Sequence, residues 1–127
     1  MNTKVQYFTI EEANDLLPAL EPLVGELLER RARVVRLSET QQPLLSDRFN
    51  DVGGPILADM TQEFIRIEAL VQEITAYGCL LKDINVGLID FLAEKEGREV
   101  FLCWRYGEPR IEYYHELHNG FQGRQLY

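Results

Sequence analysis

The sequence predicts an α+β domain: two long antiparallel helices packed against a small antiparallel β-meander. Three observations carry this. Apolar residues recur at helical spacing as far as Tyr77, with one interruption rich in Gly, Pro and polar residues. After Gly78 the period shortens to the alternation of strands. The chain has 127 residues, 46% of them hydrophobic, which suits one modest core and leaves too little for two. The expected layout is a single domain over 1–127, with a first helix at 9–39, a linker at 40–55, a second helix at 56–77, and a β-meander with a C-terminal loop at 79–127.

The first helix begins at a recognisable signal. Thr9 suits the N-cap and Glu12, three residues on, completes a capping box, with Phe8 and Ala13 as a weak hydrophobic staple. Ala13, Leu17, Leu20, Val24 and Leu27 then repeat at spacings of four and three. Leu16, Leu23, Leu28, Val34, Val35 and Leu37 widen the stripe, which implies burial against more than one neighbour. Pro18 and Pro22 remove amide donors, so a kink or broken turn is expected near Pro18, within one helix rather than two.

From Thr40 to Pro55 no periodicity survives, and Leu44, Leu45 and Phe49 could tack the linker loosely to the surface. Gly53-Gly54 lacks the spacing and the Lys-Ser/Thr of a phosphate loop. The second helix shows a seam of Leu57, Met60, Phe64, Ile67, Val71 and Ile74, and Gly78 suits a left-handed exit. Strands follow at Cys79–Ile84 and Leu88–Leu92, joined through Asn85-Val86-Gly87, and Glu94–Gly97 forms a charged turn.

The densest chemistry lies in Arg98–His115, read as a hairpin with a break at Tyr106–Pro109 and a second extended run from Arg110 to Tyr114. Val100, Leu102 and Trp104 share one face, and Phe101, Cys103 and Arg105 the other. Apolar groups on both faces imply cover on both sides, helices on one and a partner on the other.

Thirteen basic against twenty-one acidic residues give a net charge of -8, which opposes binding to nucleic acid or anionic membrane, although Arg30, Arg31, Arg33 and Arg36 cluster. The opening MNTKVQYFT has no apolar run of signal-peptide length, and no segment reaches transmembrane length, so a cytoplasmic protein is expected. Cys79 and Cys103 are too few and too distant for a zinc knuckle or disulfide scaffold and read as reduced core thiols. No serine nucleophile elbow or dinucleotide fingerprint occurs.

Three strings, YFTIEEANDLLPALEPLV, GCLLKDINVGLIDF and GREVFLCWRYGEPRIEYYHELHNGFQGRQL, resemble a bacterial family of small proteins known only as domain of unknown function 2203. The resemblance covers nearly the whole chain. Its most specific part is Cys103-Trp104-Arg105, Gly107-Glu108, His115, Gly120-Phe121 and Arg124. It implies a self-contained unit and supplies no activity. In the family pattern an aromatic residue, often Trp, stands at the position of Tyr114 and an acidic one at that of His118, so an imidazole role at His118 would be peculiar to this chain.

The candidate ligand-binding residues are Arg105, Glu108, His115, Arg124, Asp83 and Asp90, which point to a small anionic ligand held by guanidinium groups at the sheet end. Asp83 and Asp90 would share a face if they paired in register; otherwise each bonds turn amides or an arginine. His115 and His118 at helical spacing, with Glu112 and Glu108, would form a divalent site for zinc, manganese or iron. A binding or interaction protein needs no cofactor; the alternative is a small metal-dependent hydrolase at the sheet end. The uncovered outer stripe of the first helix points to a homodimer.

Overall fold

The structure is a computed structural model that describes residues 5–45 and 54–127, and the side chains of the first helix as far as Thr40. Its elements run α1 (Ile10–Leu45), α2 (Gly54–Thr75), β1 (Leu80–Asp83), β2 (Leu88–Lys95), β3 (Arg98–Arg105), β4 (Tyr113–Glu116), a 3-10 turn at Phe121–Gly123, and β5 (Gln125–Leu126). The strands form one five-stranded antiparallel sheet in the order of the chain. The α+β class and the helix pair stand as the sequence predicts. The small meander has one strand more than its pattern displays.

The capping box closes α1 as expected: the Thr9 amide donates to Glu12 Oε1 at 2.8 Å, and the Glu12 amide to Thr9 Oγ1 at 3.0 Å. Ala13, Leu17, Leu20, Val24 and Leu27 are all buried. Their burial, at roughly 1.5–3 kcal/mol for each large side chain, outweighs the ~3 kcal/mol of an interior proline. The helix therefore runs unbroken through Pro18 and Pro22. Its backbone also continues to Leu45, past the expected end at Glu39. The remainder of the expected linker, with Phe49 and Gly53, lies outside the described residues, as do the side chains of Leu44 and Leu45.

On α2 the expected seam holds in its second half, with Ile74 buried and Ile67 and Val71 packed against the core, and departs from expectation at Leu57 and Phe64. Phe64 and Leu57 are 53% and 49% exposed, whereas Glu63 is buried beside Leu70 and Ile74. Ion pairs satisfy the buried carboxylate. Arg30 and Arg33 of α1 reach the Glu63 carboxylate at 3.2 and 3.3 Å, so a charge occupies a position where the pattern calls for an apolar group. Arg66 binds Glu26 at 2.9 Å nearby. The pairs Glu26–Arg66 and Arg33–Glu63 climb one helix while descending the other, as antiparallel helices require.

The core lies between this helix pair and one face of the sheet. Ile89, Phe91, Ala93, Val100, Leu102, Trp104 and Tyr114 cluster with Phe8 and the α1 and α2 seams. Trp104 is fully buried, and its Nε1–H donates to the Glu108 carbonyl at 2.9 Å. That bond secures a wide turn after β3. The second run of the hairpin is consequently later than expected, at Tyr113–Glu116 and not from Arg110. Ile111 instead exchanges its backbone hydrogen bonds with the side chain of Asn14 on α1. The β2–β3 turn is tight because Glu96 and Gly97 both take positive φ, 53° and 79°. Among the described residues no helix is long and apolar enough to cross a membrane.

Candidate functional site

The candidate residues Asp90 and His115, with Cys103, lie on the sheet face turned away from the helices. Cross-strand partners point to the same face, so the pairings Asp90↔Cys103, Cys103↔Tyr113 and Phe101↔His115 place Asp90, Cys103 and His115 together on three neighbouring strands. The C-terminal segment packs against this face. Arg124 stacks between Tyr113 and Phe121, with its guanidinium carbon 4.2 and 4.0 Å from the ring centres. Glu108 clamps the same guanidinium at 3.0 and 2.9 Å. On the outward face of β3 the tail thus approaches Cys103 through Arg124, while Phe101 meets Lys82 and His115.

On this face lies a polar knot. His115 Nε2 is 3.0 Å from Asp90 Oδ2, and His115 Nδ1 is 2.8 Å from the Glu116 carbonyl oxygen. A carbonyl only accepts, so Nδ1 carries a hydrogen. One further proton is then shared between Nε2 and Oδ2. Asp90 Oδ1 is buried and has no hydrogen-bond partner among the described residues. Burial pushes the Asp90 carboxyl up from its ordinary range, against the pull of His115. The Cys103 thiol is pushed up to about 12 by burial and by Asp90, partly offset by Arg124. It is therefore not a self-activated nucleophile. Cys79, with no part in the knot, is pushed up to about 11 by burial and donates to the Ile74 carbonyl at 3.3 Å.

Next to the knot the same face opens into a cavity of about 280 Å³ lined by Asp83, Val86, Leu88, Arg105, Phe121 and Gln122. Arg105 lies 5.7 Å from the Phe121 ring centre and has no acidic partner among the described residues. Asp83 is turned to its own chain, accepting from the Asn85 amide at 2.8 Å.

The candidate residues are thereby sorted. Asp90 meets His115, and Arg124 meets Glu108. Asp83 pairs in register with Leu88 and Asp90 with Leu80, so the two aspartates do not face one another. The metal set of His115, Glu112, Glu108 and His118 is not gathered: His115 sits in a strand, His118 is exposed, Glu112 lies 3.9 Å from Arg110, and Glu108 is held by Arg124. Among the described residues one group brings three metal-binding side chains together, and it is Asp90, Cys103 and His115, with donor atoms within 4.8 Å of one another. Cys103, read from the sequence as an inert core thiol, is buried and free as expected, and the spacing gave no sign that it would stand beside Asp90 and His115. The sequence alternation placed it with Phe101 and Arg105 on the face opposite Trp104, and the register between strands did the rest.

No curated protein and no solved structure matches the chain. A family model does, over residues 6–127, and the strings that carried the resemblance fall within that span. The chain thus belongs to the family described as Uncharacterized conserved protein (DUF2203).

Proposed function

We propose that the protein binds a small organic anion on the outer face of its sheet and acts as a cytoplasmic binding protein. The observation that carries this is Arg105, a guanidinium without an acidic partner among the described residues, at the wall of a cavity of about 280 Å³. A carboxylate or phosphate would bridge to Arg105, while the ligand's apolar body rests on Val86, Leu88 and Phe121. Two unpaired thiols suit a reducing compartment. The test is calorimetric titration with small mono- and dicarboxylates and phosphate monoesters. Arg105→Ala is expected to weaken the best ligand by about tenfold or more, equivalent to roughly 1.4 kcal/mol. Equal affinity in the variant, or no binding by any of these anions, would remove the proposal.

The protein also acts, in this reading, as a homodimer through its helix pair. Leu57, Phe64 and Ile65, at i, i+7 and i+8 on α2, are 49%, 53% and 60% exposed, and Val35 of α1 is 40% exposed. So many large apolar groups on one helix pair favour a covered face, and a second copy offers the same groups in return. Light scattering across a tenfold dilution should give a dimer mass that Phe64→Glu reduces to the monomer. A monomer at every wild-type concentration would end this second reading.

A further inference from the structure

We infer that Asp90, Cys103 and His115 form a zinc site, separate from the anion cavity beside it. The three donor atoms, one oxygen, one sulfur and one nitrogen, already lie within 4.8 Å of one another and all three residues are buried. Tetrahedral zinc with bonds of about 2.0–2.3 Å sets its ligand atoms about 3.3–3.6 Å apart, so small rotations suffice to close the site. Two further observations point to a ligand. Asp90 Oδ1 has no partner among the described residues although Asp90 is only 2% exposed. The ring of His115 is also held in the orientation a metal-binding imidazole needs, with Nδ1–H donating to the Glu116 carbonyl and Nε2 turned toward Asp90, 3.0 Å from its Oδ2.

The donor set selects the metal. A thiolate with an imidazole and a carboxylate suits zinc better than magnesium or calcium, which prefer oxygen alone. Zinc displaces the thiol proton of Cys103 and the proton shared by Asp90 and His115. The thiolate and carboxylate then balance the charge of the ion. Arg124 approaches Cys103 with its own charge already matched by Glu108, and so can donate to the zinc-bound sulfur. Three protein ligands leave a fourth position for water. Because β2, β3 and β4 each supply one ligand, the ion would pin the sheet's middle strands together.

The experiment loads the whole untagged chain with zinc and, separately, with cobalt(II) as a spectroscopic substitute. One zinc per chain should survive desalting, and the cobalt form should show a thiolate-to-metal charge-transfer band in the near ultraviolet. Cys103→Ser should lose that band and Cys79→Ser should keep it. The reverse pattern, or a wild-type cobalt spectrum without a thiolate band, would overturn the assignment. Should Cys103→Ser fail to fold, X-ray absorption at the zinc edge of the wild-type protein decides. One sulfur with nitrogen and oxygen neighbours supports the site, and an all-oxygen shell or two sulfurs refutes it.

Discussion

Asn14 and Ile111 are joined by a pair of hydrogen bonds between a helix side chain and a strand-approach backbone. The Ile111 amide donates to Asn14 Oδ1 at 2.7 Å, and Asn14 Nδ2 donates to the Ile111 carbonyl at 3.2 Å. Ile111 is fully buried and outside any strand, so its peptide groups have no ladder to join. The Asn14 amide serves as that ladder. Asn14→Ala would leave the Ile111 amide and carbonyl without these partners and is expected to destabilise the fold by about 1–3 kcal/mol. Asn14→Asp keeps the acceptor and loses the donor, so its urea midpoint should fall between the two. Wild-type midpoints for both variants would show that the contact contributes nothing.

Trp104 is expected to be a major contributor to stability. It is fully buried, donates to the Glu108 carbonyl, and meets Tyr106 edge-on at 6.1 Å. Trp104→Ala should cost about 3–5 kcal/mol in denaturant titration followed by circular dichroism. As the chain's one tryptophan, it also makes wild-type fluorescence a direct report of its burial. Emission at the wavelength of free indole in water would contradict the packing described.

Acid should weaken the helix pair through Glu26. Hydrogen bonds from Arg66, then Arg30, hold its carboxyl at about 2 against an ordinary 4.5. A carboxyl depressed in the fold contributes stability above pH 4.5 and loses it as pH falls toward 2. The side chain is 31% exposed, and solvent screening limits the effect to about 1 kcal/mol. The gap in urea midpoint between wild type and Glu26→Gln should therefore narrow through that window. A gap independent of pH would exclude Glu26 as the titrating group.

The local signals in the sequence were sufficient for much of this architecture. The capping box at Thr9, the α1 seam from Ala13 to Leu27, the Gly78 exit and the face of Val100, Leu102 and Trp104 depend on neighbours within a few residues, where periodicity and backbone sterics act directly. What only the tertiary structure decided involves partners far along the chain. Glu63 of α2 is buried and Phe64 exposed, and the arginines that satisfy Glu63, Arg30 and Arg33, lie on another helix. The strand after the wide turn starts at Tyr113 because Asn14, on α1, takes the Ile111 backbone. Cys103 joins Asp90 and His115 through cross-strand register, and a shift of one residue would have sent each side chain to the opposite face. Local spacing sets which elements form; the register between them sets which side chains meet.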